Sequence, residues 1–474
     1  MKFCSLLKGL HVAVADTWDE HHDVAYMTNQ STLLPHEHLI GSSNMLRRLP
    51  FQVVDVRYHY SLPLNNLNAS YADTMERRNS YCELLKIPRV PALILTAGFS
   101  RLAGSMFALT LVLFTLAQFP SSALTGWLTF TAIVPGLIVS PMAGALLNRV
   151  GPMISIRIDM MASAIFVAGI SIVGWAGFSN PVILFMLVML FSLAGPLGTA
   201  GMRVLLPSVV PPHALPQVNA LDAALYATAD VVGPATAGMV VAWLGPEVAM
   251  FMIAMVYTGA ALCLLRVKGI PRLAYPHTSL IRQTIEGIQI VVRQPTLRGV
   301  AVSYSLYQIT WGALYVTVPV FVADNYATAI NGPVIGLLWA ATGIAGGLGA
   351  LFSRHLCTTG HERHVMAAGM MVTAFAVGPL TAQFGLEGLI ISLILAGAMS
   401  GPVDVAVLTL RQRRTEPQQL GRVMSISMSL NRAGFPLGSA VAGTMTITSP
   451  SSAFVLAGVA SAVAAFATVS IPRN

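Results

Sequence analysis

Two charged side chains lie inside apolar segments that resemble each other. Asp230 lies in the segment 215–238. When the segment 420–443 is aligned with it on the proline that follows four residues later, Arg432 takes the position of Asp230. A charged residue near the middle of a membrane costs about 2.5–3.5 kcal/mol on insertion scales, so a chain that keeps one there generally uses it. The two charges therefore point to a membrane protein that works with buried charge, which is more typical of a transporter than of an enzyme.

The composition places the chain among membrane proteins. Hydrophobic residues make up 55% of the 474 residues and charged residues 10%, whereas soluble proteins carry about 25% charged residues. The net charge is +8, but the basic residues lie in the gaps between apolar blocks and form no stripe with aromatic residues. The positions of these basic residues are better explained by a role in orienting the chain in a lipid bilayer than by binding of nucleic acid. We therefore predict no nucleic-acid partner.

Several kinds of site are excluded by what the sequence lacks. The four cysteines form no CxxC pair, and none of the four lysines follows a glycine, so neither a zinc site nor a nucleotide-binding P-loop is expected. The apolar blocks contain no His-Glu-x-x-His, Gly-x-Ser-x-Gly or paired-Asp motif. We therefore predict no metal, no cofactor and no enzymatic activity. Transport would be passive or driven by an ion gradient.

The apolar blocks predict an all-α membrane protein with twelve transmembrane helices. Each block is near the roughly 20 residues that a spanning helix needs. The predicted spans are 91–117, 122–147, 154–175, 181–205, 217–244, 248–266, 299–322, 333–353, 364–384, 387–410, 420–446 and 451–471.

Four regions follow from this pattern. Residues 1–74 are polar and hold six of the eleven histidines, so we predict a disordered extension, with a metal-binding tail as the alternative. Residues 75–266 and 299–474 form two six-helix halves. The linker 267–298 contains apolar residues at helical spacing, which indicates an amphipathic helix on the cytoplasmic surface.

The basic residues also predict how the chain is oriented. Alternate connections between the spans carry the loop arginines, whereas the others contain no lysine or arginine: 118–121, 176–180, 245–247, 323–332, 385–386 and 447–450. By the positive-inside rule, both termini lie in the cytoplasm and the chain is a multi-pass protein of the cell membrane.

Landmarks recur in the same order in both halves. The sequence Gly-Ala-Leu before Arg149 returns before Arg354, and Gly-Pro at 195–196 returns at 401–402. With the charge and proline pattern described above, the offsets run from 202 to 206. Two pseudo-symmetric six-helix halves with a site between them near the bilayer midplane are common among transporters.

At this point the chain resembles the major facilitator superfamily, over residues 80–471. The sequence GALLNRVG resembles the loop that this family has between its second and third spans, written G-x-x-x-D-R-x-G. Gly144 and Arg149 match, whereas Asn148 stands in place of the aspartate. The resemblance implies the major facilitator fold, with a cytoplasmic gate near this loop.

Further segments resemble the exporter branch of that family. ADVVGPATAG at 229–238 is similar to the glycine-proline signature of the fifth span in exporters. LP-x-x-NAL at 215–221 and GRVMS at 421–425 look like the branch that includes drug, siderophore and macrolide exporters. Gly233, Pro234 and Gly238 would permit close packing and interrupt the backbone hydrogen bonds of the helix.

The resemblance implies that spans one and five are neighbours. Arg101 and Asp230 would then lie at similar depth, and we predict that they pair, because an unpaired charge in a dry interior is costly. In one interpretation, protonation of Asp230 frees Arg101 and shifts the balance between inward-facing and outward-facing states. In the other, the pair is purely structural.

Two other carboxylates lie near the inner ends of spans five and ten. Asp222 and Asp404 are each compatible with a proton site or with pairing to a nearby arginine, and pairing is favoured. The candidate partners are Arg203, Arg411 and Arg422.

Two further sets of residues are predicted from position and side-chain chemistry. Polar and aromatic residues of spans seven and eleven are expected to line a substrate cavity: Arg432, Asn431, Tyr304, Tyr307, Gln308 and Trp311. Charged and small residues at the inner ends of spans two, three and four are expected to form the cytoplasmic gate: Gly144, Asn148, Arg149, Asp159 and Arg203.

These features together predict a monomeric secondary transporter that works by alternating access. We expect proton-coupled export of a small organic molecule, amphiphilic rather than sugar-like. An importer of a nutrient or organic anion is the first alternative, and a membrane sensor that transports nothing is the second.

Overall fold

A computed structural model gives the fold of residues 84–472, apart from 88, 141–149, 178–179, 212–213, 266, 268–279, 326–327, 357–359, 378–380 and 416–419. The predicted extension 1–74 lies outside these described residues. By its internal contacts the chain divides into Met1–Lys86 and Ile87–Asn474. All helices discussed below belong to the second unit.

The N-terminal half is built from helices α1 (Val90–Gln118), α2 (Ser122–Thr131), α3 (Pro152–Trp175), α4 (Pro181–Ser208), α5 (Leu215–Leu244) and α6 (Pro246–Leu265). Helices α3 and α6 begin with proline directly after Gly151 and Gly245, whose φ angles are 86° and 88°. Glycine adopts such angles without strain, and proline suits the first helical turn because its missing N–H needs no partner there. The sequence therefore sets sharp boundaries between these helices.

The C-terminal half is built from α8 (Pro295–Asn325), α9 (Thr328–Leu356), α10 (Glu362–Phe375), α11 (Thr381–Arg414), α12 (Leu420–Arg432), α13 (Gly434–Met445) and α14 (Pro450–Ala467). Before it lies the linker helix α7 (Leu280–Arg293), as predicted. Val291 of α7 is buried against Leu297 and Val423. Ile285 and Val292 stay exposed, at 49% and 51%, which suits a helix at a lipid surface.

Ten helical segments of the described chain are long and apolar enough to cross a membrane. They correspond to ten of the twelve predicted spans. Predicted span nine differs because α10 has 14 residues and is followed by a short π-helical turn and undescribed residues. Predicted span eleven differs because a turn at Ala433 divides it into α12 and α13. The turn predicted at 385–386 is present, since Gly385 is non-helical with φ 58°.

The helices pack as two similar bundles. In the N-terminal half, α5 packs against α1, α3 against α4, and α6 against both α1 and α3. In the C-terminal half, α13 packs against α8, α10 against α11, and α14 against both α8 and α10. The same arrangement in both halves agrees with the repeat read from the sequence. It also confirms that spans one and five are neighbours.

Close contacts of glycine residues show which positions of the two halves correspond to each other. A Cβ built at Gly233 of α5 would lie 2.5 Å from Ser105 Cβ of α1, and Gly438 of α13 makes the equivalent approach to Ile309 of α8. Gly438 is thus the structural counterpart of Gly233. This register places Phe435, and not Arg432, opposite Asp230, so the sequence alignment of the two charges was displaced by about one helical turn.

Two close contacts join the halves, and we call them the glycine seams. In one, Gly238 of α5 meets Gly332 and Gly336 of α9; in the other, Gly126 of α2 meets Gly443 of α13. A Cβ built at Gly336 would lie 2.7 Å from the carbonyl oxygen of Pro234, so only glycine fits. Both seams lie toward the end of the bundle where α1 ends and α2 begins. We call it the non-basic end, because its connections contain no lysine or arginine.

Candidate functional site

Asp230 faces the space between the two halves. Its side chain is exposed, and its Oδ1 accepts a hydrogen bond from Ser105 Oγ at 3.0 Å. Arg432 of the opposite half and Tyr315 of α8 lie within electrostatic range of this carboxylate. Asp230 is therefore a solvent-accessible acid inside a transmembrane helix, with a cation of the other half within electrostatic range.

The predicted pair between Arg101 and Asp230 is wrong. The Arg101 guanidinium forms an ion pair with Asp222, and its Nη1 also donates to the Asp222 carbonyl oxygen at 3.0 Å. The guanidinium carbon lies 3.8 Å from the centre of the Tyr226 ring, in a cation–π contact. Asp222 thus pairs with an arginine, as predicted, but the arginine is Arg101, which was not among the predicted candidates.

The direction of helical side chains explains the change of partner. Side chains of a helix point toward its N-terminus, and a long arginine reaches back by about a turn. Arg101 therefore contacts Asp222 and Tyr226, whereas Ser105, one turn further along α1, contacts Asp230. The two acids lie two turns apart on α5, so each has its own partner on α1.

A small cavity of about 140 Å³ lies beside the Arg101–Asp222 pair. Asp159 and Arg203, predicted as gate residues, both line it. Asp159 is buried, accepts a hydrogen bond from Ser163 Oγ at 3.2 Å, and packs so closely on Gly198 that a larger residue there would force the Asp159 side chain to move. The structure thus brings together two acids and two arginines from four helices.

The remaining predicted gate residues, Gly144, Asn148 and Arg149, lie outside the described residues. Their part in a gate stays a prediction. Helix α5 continues from Leu215 to Leu244 with Pro234 inside it, so the helix is not divided there. Because proline has no N–H, the backbone hydrogen bond to the Asp230 carbonyl is missing, which is the local interruption that the sequence predicts. Gly233 packs against α1, whereas Gly238 belongs to a glycine seam.

The aromatic residues predicted on span seven form a continuous chain of rings. Ring centres of Tyr304 and Tyr307, and of Tyr307 and Trp311, lie 6.1 Å apart. The chain continues from Trp311 through Trp339 to Tyr315, with centres 6.5 and 4.8 Å apart. The partly exposed rings of Tyr304, Trp311 and Tyr315 give the C-terminal half an aromatic surface, whereas Tyr307 and Trp339 are buried.

Tyr307 does not line the cavity as predicted. It is 1% exposed, and its hydroxyl shares a hydrogen bond with Thr373 Oγ1 of α10 at 3.1 Å. Tyr304, Gln308 and Trp311 are half-buried, whereas Arg432 is exposed. Residues at spacings of three and four cover a broad strip of the helix surface. The side chains in the middle of this strip therefore turn toward the neighbouring helix.

Two polar side chains near the predicted cavity are buried without a hydrogen-bond partner among the described residues. They are Asn431, through its Oδ1, and Trp339, through its Nε1. Buried polar groups are normally satisfied by protein, water or ligand. Asn431 therefore remains a candidate for polar contact with a bound molecule, as its position predicted, and Trp339 is an addition that the sequence did not single out.

Removal of Asp222 is expected to destabilise the protein because Arg101, whose side chain is 10% exposed, would lose its ion-pair partner. We expect Asp222→Ala to lower the free energy of unfolding by about 2 kcal/mol. The double variant Arg101→Leu with Asp222→Ala should recover part of the loss. The melting temperature in detergent measures this; equal values for Asp222→Ala and the unmodified protein would refute the structural role of the pair.

Comparison with known proteins adds the family. The sequence profile of the Major Facilitator Superfamily matches residues 93–327 and 300–474. The chain is 65% identical over 400 residues to the uncharacterized MFS-type transporter y4rN of Sinorhizobium fredii, covering 84% of this chain and 99% of the relative. It is 28% identical over 331 residues to the multidrug efflux pump Tap of Mycobacterium tuberculosis, covering 66% and 76%.

A solved structure shares the fold. The crystal structure of the nucleoside transporter NupG superposes with a TM-score of 0.65 at 12% sequence identity, covering 81% of this chain and 98% of that one. Because the identity is low, this likeness supports the arrangement of helices and not the substrate.

Proposed function

Since the chain belongs to the major facilitator superfamily, we propose that it exports a small organic molecule by alternating access, driven by protons. The observation that carries the proposal is the position of Asp230. It is an exposed carboxylate within a transmembrane helix, Arg432 of the opposite half lies within electrostatic range of it, and it accepts a hydrogen bond from the neutral hydroxyl of Ser105. A carboxylate so placed can gain and lose a proton without losing an ion-pair partner.

Because Arg101 pairs with Asp222 and not with Asp230, the coupling scheme differs from the one that the sequence suggested. Arg101 is held by Asp222, so it is not released when Asp230 is protonated. In the proposed scheme, ionised Asp230 attracts Arg432 across the space between the halves. Protonation removes this attraction and makes it easier for the halves to separate, because opposite charges in a low-dielectric space attract strongly.

The glycine seams support alternating access. Both of them close the bundle toward the non-basic end, so this conformation represents one end state in our scheme. By the positive-inside rule the basic loops lie in the cytoplasm, and the cavity would then receive its substrate from there. This is the state in which an exporter would bind its substrate.

The aromatic surface supports an amphiphilic organic substrate. Trp311, Tyr315, Trp339 and Phe435 lie in one group, with Tyr315 and Phe435 ring centres 5.6 Å apart. Large aromatic side chains supply apolar contact area together with polar edges. The 28% identity to the Tap efflux pump agrees with such a substrate and with export.

Vesicles with an imposed proton gradient test direction and coupling. Purified protein is inserted in defined orientation, and a panel of labelled aromatic compounds is offered on the face of the basic loops. We expect at least one compound to accumulate against its gradient only when protons flow the opposite way. Accumulation in the reverse direction would indicate an importer, and binding without accumulation for every bound compound would indicate a sensor.

A further inference from the structure

A second acid, Asp404 of α11, lies in a polar group of the C-terminal half. The Tyr304 hydroxyl of α8 donates a hydrogen bond to its Oδ1 at 2.5 Å. The Asp404 side chain is exposed to the space between the helices, although it lies within the predicted span 387–410. A carboxylate at this depth with a neutral donor resembles Asp230 with Ser105 in the other half.

Arg411 lies two turns further along α11 and is buried. It is 3% exposed, and its Nε and Nη2 have no hydrogen-bond partner among the described residues. The Asp404 carboxylate, which carries the opposite charge, lies within electrostatic range of the Arg411 guanidinium. Buried guanidinium nitrogens without hydrogen bonds are costly, so these two donors require water or an acid that comes closer in another conformation.

The groups that act on Asp404 come from several helices. Besides Tyr304 and Arg411, they include Tyr307 of α8, Arg432 of α12 and Asp230 of α5. The other helices against α11 are α9 and α10. The described ionisable side chains of α10 lie at its beginning, where Glu362 pairs with Arg413. Helix α10 therefore places no described acid at the depth of Asp404 that could compete with it for a proton.

We propose that Asp404 is a second proton-binding residue, with Tyr304 as its hydrogen-bond donor and Arg411 as its counter-ion. A proton from water in the cavity converts the carboxylate to a neutral carboxyl group, and the same proton returns to water on the other face. When Asp404 is ionised, Arg411 attracts it; when it is protonated, that attraction is lost. The protein then has one proton site in each half, at Asp230 and at Asp404.

This proposal extends the proposed function, since protons are taken as the coupling ion, but its test needs no substrate. The probe is the proton alone. Purified protein in lipid nanodiscs is acidified stepwise, and infrared difference spectra record the C=O stretch of protonated carboxyl groups. We expect a band that is lost in Asp404→Asn and kept in Asp324→Asn, whose acid is exposed at the end of α8.

The Tyr304→Phe variant gives an independent reading if Asp404→Asn does not fold. The band should remain, but its pH dependence should change, because the carboxylate has lost its donor. An unchanged band in Asp404→Asn, or an unchanged pH dependence in Tyr304→Phe, would overturn the proposal. A band from Asp404 without proton-driven transport would support this site and refute the proposed coupling, so the two failures are distinguishable.

Discussion

Asp230→Asn is expected to reduce proton-driven transport to the leak of protein-free vesicles, while exchange of substrate between the two sides continues. The amide has nearly the shape of the carboxyl group and can still accept the hydrogen bond from Ser105. It cannot bind or release a proton, so it imitates the neutral state permanently. Transport that needs a change of protonation at Asp230 stops, whereas rocking between the two end states does not.

Two assays on the same vesicles separate these outcomes. Uphill accumulation under a proton gradient measures coupling, and counterflow of labelled against unlabelled substrate measures exchange. Ser105→Ala is the control, because it removes the hydrogen bond of 3.0 Å and keeps the acid. It should retain coupled transport with a changed pH profile. Uphill transport by Asp230→Asn at the rate of the unmodified protein would refute the coupling role.

Gly336→Val is expected to shift the protein away from the conformation described here. A Cβ at this position would lie 3.1 Å from Gly238 Cα and 2.7 Å from the Pro234 carbonyl oxygen, and both are backbone atoms that cannot turn aside. Overpacking of this kind costs about 1–3 kcal/mol. Since about 1.4 kcal/mol is a tenfold change in an equilibrium, the closed seam should lose roughly a factor of ten to a hundred in population.

Gly347→Val on the same helix is the matched control. A Cβ there meets nothing within 4 Å, so it has the same effect on helix propensity without the contact. Spin labels at positions 176 and 324, exposed at the non-basic end of each half, report the distance between halves. We expect longer distances and slower transport in Gly336→Val alone. Equal distance distributions in the two variants would show that the seam does not hold this end closed.

Features that depend on periodicity and composition could be predicted from the sequence. The prolines at 152, 181 and 246 mark helix beginnings, and Gly385 marks the turn after predicted span nine. The linker helix Leu280–Arg293 follows directly from its amphipathic pattern. Each of these signals acts within a few residues, so no knowledge of neighbouring helices is needed.

Partners across helices were predicted less well. Arg101 and Asp230 were matched by depth, but depth alone ignores that an arginine reaches back toward the N-terminus of its helix, to Asp222. The spacing of Asp222 and Tyr226, one turn apart on one helix face, was the available signal. Ser105 gave no signal, because a serine in an apolar helix more often bonds to its own backbone.

The C-terminal site was predicted only in part. Tyr304 was identified from its spacing, whereas Asp404 was interpreted as a proton site or as a partner of an arginine, with pairing favoured. Its donor, Tyr304, lies 100 residues away in the chain, and such a contact is set by helix packing. Tyr307 was placed in the cavity because its stripe was taken as one surface, although α10 covers the middle of it.

The turn at Ala433 changes the local hydrogen bonding of one half without bending its backbone sharply. Ala433 has φ −63° and ψ −27°, which are right-handed helical angles, and its N–H bonds to the carbonyl of Leu430, three residues earlier. The segment is thereby divided into helices of 13 and 12 residues, whereas α5 is one helix of 30 residues. A helix end leaves N–H groups without a partner within the helix. Amide hydrogens just after the turn should therefore exchange with deuterium faster than those around Asp230.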